Sequence, residues 1–158
     1  MAVTGRGHGH EADGSIEIAA SPESVFDYVT DVVREPEWNP QLRVAEKLTA
    51  GPAGTGTRYR VRFGRGVGEA LIENTAFDRP RSWSAVSTSR RLDVHFRGQV
   101  TETPGGCQLA VHNELAPRGV LRLLSPLLSG VLRRSWERDL RAIKTIIEQR
   151  AQQAGSGP

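Results

Sequence analysis

From Leu42 to Leu115 the chain alternates apolar and polar positions in short runs, each closed by glycine, proline or aspartate. Tyr59, Val61 and Phe63 fall on one side of such a run and Arg58, Arg60 and Arg62 on the other, the period of two expected of a half-buried strand. The same alternation predicts strands over Leu42 to Leu48, Thr57 to Phe63, Glu69 to Phe77, Ser82 to Ser87, Leu92 to Thr101 and Cys107 to Leu115. Short turns separate them, Pro104-Gly105-Gly106 being the clearest, so the six form an antiparallel meander. An earlier strand is predicted over Ser15 to Ala20, with Ile16 and Ile18 on one face.

Helical spacing appears twice. Ser21-Pro22-Glu23 offers a hydroxyl cap, a proline in the first turn and an acid beside it, and Val25, Phe26, Val29, Val32 and Val33 follow. Two prolines in Glu35-Pro36-Glu37-Trp38-Asn39-Pro40 then leave room for one short turn anchored by Trp38. Arg118 to Leu124 begins helically, and Ser125-Pro126 restarts a long helix to about Gln149. Leu128, Val131, Leu132, Trp136, Leu140, Ile143, Ile146 and Ile147 form its predicted apolar stripe. A helix roughly 35 Å long needs an extended apolar surface to lie on, which a curved sheet supplies.

With 158 residues, one domain is expected, over residues 14–150, between disordered tails at 1–13 and 151–158. No apolar run approaches a membrane span and no signal peptide is read at the N-terminus, so a cytoplasmic protein without stable membrane insertion is expected. Cys107 stands alone and reads as a small buried apolar side chain. The net charge of +3 rests almost wholly on arginines interleaved with acids, which argues against nucleic-acid binding. His8 and His10 lack further ligands, so no metal or cofactor is expected.

The order strand, short helices, six-strand meander, long helix resembles the SRPBCC superfamily, the START-like or Bet v 1-like helix-grip fold, and within it the bacterial polyketide cyclase/dehydrase and lipid-transport group. The residues that carry it are Ile18 to Val29, Pro36-Glu37-Trp38-Asn39-Pro40, Phe77-Asp78-Arg79-Pro80-Arg81 and Leu140-Arg141-Ala142-Ile143-Lys144. The resemblance implies an α+β fold, a curved antiparallel sheet of about seven strands wrapped around the C-terminal helix. It also implies a cavity between them for a lipid, polyketide or other hydrophobic small molecule, bound or transported. A polyketide aromatase/cyclase is the alternative. Superfamily members span enzymes and plain binding proteins, so neither enzymatic activity nor oligomeric state follows.

Candidate cavity walls are Trp38, Tyr59, Phe63, Trp83, Phe96 and Trp136, each with ordinary core packing as the competing reading. Asn113 shares a strand face with Leu109, Val111 and Leu115, where an unpaired amide costs about 1–3 kcal/mol; it needs either a ligand or a backbone partner. Asn74 and Asn39 are weaker cases of the same kind. His95 and His112 alternate onto the outer face, out of reach of a cavity; a register shifted by one residue would instead bring His95 with Asp93 inside it as a base. Ser135 and Asp139 lie near the helix stripe without a histidine tied to them. The resemblance implies, for the group's cyclases, an arginine or tyrosine that polarises a carbonyl; Tyr59 is the nearest candidate here, it matches no family catalytic motif, and no catalytic residue is assigned.

Overall fold

A computed structural model describes residues 10–64, 68–123 and 125–155. The expected tail over residues 1–9, including His8, and the last three residues lie outside the described residues, as does the middle of the Gly64 to Gly68 turn. The strands are β1 (His10–Ile18), β2 (Leu42–Lys47), β3 (Arg58–Phe63), β4 (Gly68–Asp78), β5 (Ser82–Ser89), β6 (Leu92–Thr103) and β7 (Gly106–Pro117). The helices are α1 (Pro22–Thr30) and α2 (Ser125–Gly155), with 3-10 turns at Val32–Glu37 and Gly119–Arg122. All seven strands form one antiparallel sheet in the order β1-β7-β6-β5-β4-β3-β2. The meander therefore runs as its hairpins predict, and β1 closes its far side against the last strand.

Two boundaries differ from the sequence reading by five residues or more. β1 starts at His10, inside the stretch read as a tail, because residues 10–14 pair with β7 from Leu115 to Val111 and Ala12 is buried there. The unmade backbone bonds of β7 would otherwise need another partner. α2 runs to Gly155, through part of the stretch read as a C-terminal tail, since nothing breaks the helix between Gln149 and that glycine.

Ser21 caps α1 as its type predicts, its Oγ accepting from the Ser24 amide at 3.3 Å. The bonds that fix α2 lie at its second half. Glu148 accepts from the Ala19 amide at 2.9 Å, and Lys144 donates to the Glu17 carbonyl and to Glu148, both at 2.7 Å. Glu37 accepts from Tyr28 and from Arg150, both at 2.8 Å, while the Arg150 guanidinium lies 4.9 Å over the Tyr28 ring. Below these bonds Leu140, Ile143 and Ile147 pack on Ile18, Phe26, Cys107 and Leu109 in the main core. Each such fully buried side chain contributes about 1.5–3 kcal/mol. Close approach of helix and sheet is possible because β1 offers Gly14 under Leu140; a Cβ there would lie 2.7 Å from the leucine Cδ1.

The first half of α2 is different. Val131, assigned to the inward stripe by sequence, is exposed, as is Leu127 one turn earlier. Val131 lies a whole turn from Ser135 and two from the exposed Arg138, so the helical period carries it to the outer side. Among the described residues Leu132, Trp136, Leu140, Ile143, Ile146 and Ile147 of the predicted stripe are partly or fully buried, as is Asp139; the side chain of Leu128 lies outside the described residues.

Candidate functional site

The inner face of the sheet changes along its length. At the end covered by α1 and the second half of α2, Val100, Leu109, Cys107 and Trp83 are buried. Toward the first half of α2, Val94, Phe96, Ser87 and Ile72 point the same way but retain accessible surface. The grip is thus closely packed at one end and less fully covered at the other, its open end, where the candidate site is placed.

An aromatic run crosses this boundary. Trp38 at the end of the first 3-10 turn stands 6.4 Å from Trp136 of α2, Trp136 stands 5.5 Å from Phe96 of β6, and Phe96 stands 5.5 Å from Trp83 of β5, with interplanar angles of 41°, 34° and 36°. Phe26 and Phe77 continue it edge-on below Trp83, at 5.5 and 5.1 Å. Trp83 lies flat against the sheet because its cross-strand neighbour is Gly98; any Cβ at that position would meet the indole at 2.2 Å. Four expected wall residues are therefore brought together. Tyr59 and Phe63 are not: Phe63 packs in a second apolar cluster with Leu42, Val61 and Ala70, and Tyr59 is buried on β3 without a ring contact to the run among the described residues. Burial, with the Asp31 charge adding to it, raises the Tyr59 hydroxyl pKa.

Polar atoms border the run. Asn113, cross-strand neighbour of both Phe96 and Ala12, is 1% exposed; its Nδ2 donates to the Ala12 carbonyl at 3.3 Å, while its Oδ1 has no protein partner. The indole Nε1 of Trp38, a residue 7% exposed, is likewise unpaired. One buried acceptor and one buried donor are thus left over, each worth about 1–3 kcal/mol if satisfied. Asn74 instead donates to the Gly54 carbonyl at 3.3 Å and fixes a loop.

Two carboxyls complete the site, and neither was assigned from sequence. Glu35, on the 3-10 turn three residues before Trp38, accepts from Asn39 Nδ2 at 2.8 Å. Enclosure by protein raises its pKa to about 7; the Asn39 bond opposes this and the nearby Asp139 charge adds to it. Asp139 is buried on α2, three residues after Trp136, and accepts from Arg138 at 2.8 Å. Burial raises its pKa against that arginine. Arg138 also donates to Ser135 at 3.0 Å, so Ser135 faces a cation rather than a base. The signal for Asp139 was its place on the buried helix stripe; Glu35 was hidden in a segment legible only as a proline-broken turn.

Both histidines stay outside. His95 is exposed, and His112 pairs with Asp13 across the outer face of β1 and β7, which raises its pKa. An open depression of about 970 Å³ is lined by Asp13, Arg97, Gln99 and His112 of that outer face and reaches Trp83 and Val111, but not Glu35 or Asp139. No group of potential metal ligands occurs among the described residues.

Residues 9–148 match the family model described as polyketide cyclase/dehydrase and lipid transport. The chain belongs to that family. Among solved structures, the Zhui aromatase/cyclase from Streptomyces sp. R1128 is similar at 17% identity, with 95% of this chain and 100% of that one covered and a TM-score of 0.77. A START superfamily protein from Mycobacterium smegmatis is similar at 15% identity, covering 88% and 97%, with a TM-score of 0.68. No curated protein matches the chain in sequence. At these identities the solved structures support the helix-grip fold of this polyketide cyclase/dehydrase family member, whose function has to be argued from its own site. No helix of the described chain is long and apolar enough to cross a membrane.

Proposed function

We propose that this member of the polyketide cyclase/dehydrase and lipid-transport family binds a hydrophobic small molecule at the open end of its grip. Trp38, Trp136 and Phe96 would form the wall, with Trp83 at its closed inner end, Asn113 as the polar tether, and Tyr59 and Phe63 as packing behind it. The observation that carries the reading is the pair of unpartnered buried atoms beside the rings, Asn113 Oδ1 and Trp38 Nε1. An apolar molecule bearing a hydroxyl or carbonyl satisfies such atoms and covers the rings at the same time. Native mass spectrometry of freshly purified protein, followed by thermal shift against sterols, fatty acids and aromatic polyketides, tests it. A bound apolar mass, or stabilisation by one class that Asn113→Leu weakens, is expected. A melting temperature unmoved by every compound would sink the reading.

A second reading, polyketide aromatase/cyclase, is favoured by Glu35. A carboxyl half-protonated near neutral pH can protonate a ketone oxygen or, ionised, remove a proton from the carbon between two carbonyls, the two transfers an aldol closure needs. Loss of turnover on a poly-β-ketone surrogate in Glu35→Gln, with binding retained, would separate this reading from plain binding.

A further inference from the structure

Val120, Leu123, Leu127 and Val131 are 76%, 83%, 73% and 63% exposed, Val120 on the second 3-10 turn, Leu123 directly after it, and Leu127 and Val131 on the first half of α2. Leu127 and Val131 stand one turn apart on the side of α2 opposite Leu132 and Trp136, so this part of the helix is apolar both inward and outward. The segment from Leu115 to Trp136 contains Arg118, Arg122, Arg133 and Arg134 and no acidic residue, whereas Arg58, Arg62 and Arg79 elsewhere in the chain are paired with acids. Arg118 bonds Asp93; among the described residues Arg122, Arg133 and Arg134 are exposed and have no ion pair.

We propose that this lip docks reversibly on an anionic lipid surface. Charge complementarity selects that occupant: exposed aliphatic side chains enter the boundary between headgroups and acyl chains while the arginines meet lipid phosphates. A second copy of the chain would set the same arginines against each other across a two-fold contact. An acidic protein partner fits the charge, but the exposed patch has valine and leucine and no aromatic anchor, a poor set for a protein interface. The docking is independent of what the grip holds. Where both readings hold, it puts the open end of the grip at the membrane, since Trp136 follows Val131 by little more than one turn.

Sedimentation of the full-length protein with vesicles tests the docking, using phosphatidylcholine alone and an equal mixture of phosphatidylcholine and phosphatidylglycerol. The protein should partition onto the mixed vesicles at low salt, far less onto phosphatidylcholine, and be released by high salt. Arg122→Gln with Arg134→Gln should weaken partitioning about fivefold per arginine. Leu127→Glu with Val131→Glu should abolish it, with melting unchanged because both side chains are exposed. No partitioning onto the mixed vesicles at low salt, or equal partitioning of both double variants, overturns the proposal. So does a dimer in gel filtration that the glutamate variant splits while vesicles bind neither form, which would assign the lip to a second copy.

Discussion

Glu35 joins stability to chemistry, because its carboxyl is raised from 4.5 to about 7 by enclosure. Between those two values the folded protein holds a proton there that the unfolded chain has lost. The contribution is therefore fullest below about pH 4.5 and disappears as pH rises through about 7, a change of up to about 3 kcal/mol. The raised pKa of His112 acts in the same direction, so the wild type alone does not isolate the acid. Glu35→Gln does, since glutamine can still accept from Asn39 and cannot ionise. Urea melts at about pH 5 and about pH 8 should show the wild type losing stability and the variant losing much less. Equal losses would mean that the carboxyl behaves as an ordinary surface acid. Asn113 was legible in the sequence because strand alternation put an amide among Leu109, Val111 and Leu115. Glu35 was not, because a proline-broken turn has no period from which to read a facing direction.

At the level of elements, α2 is one continuous helix with two different supports. Its second half is pinned by Lys144, Glu148 and Arg150 and buries Leu140, Ile143 and Ile147; its first half exposes Leu127 and Val131 and meets the sheet through Trp136. Helical hydrogen bonds are the same in both halves, so the difference in opening free energy comes from tertiary packing. Amide exchange should be fast over residues 127–134 and slow over 140–147, and a bound ligand should protect the first group more than the second. Uniform protection along the helix without ligand would contradict the division. The strands and the existence of this helix were plain from periods of 2 and 3.6. What the pattern did not give was which leucines and valines the sheet reaches, as Val131 shows: a helix rich in apolar residues offers more than one plausible stripe, and tertiary contact selects among them.

At the scale of the whole molecule, the grip converts a sequence with few large side chains into one connected aromatic surface. The chain contains three tryptophans, and Trp38, Trp83 and Trp136 come from a turn, a strand and a helix far apart in sequence to meet on one run with Phe96. Nothing local in the sequence specifies that meeting; it follows from the hairpin order of the sheet and the placing of α2, which the strand pattern implied only once the topology was known. The convergence also makes the site self-reporting, since the protein's entire tryptophan emission originates along the proposed wall. A polycyclic aromatic probe entering the open end should quench that emission in a saturable way, and Trp136→Phe should lower both the emission and the affinity by removing the ring that bridges helix and sheet. Trp83, held flat on Gly98 in the closed half, should remain emissive and little quenched in that variant. Saturable probe binding that leaves all tryptophan emission unchanged would place the ligand elsewhere.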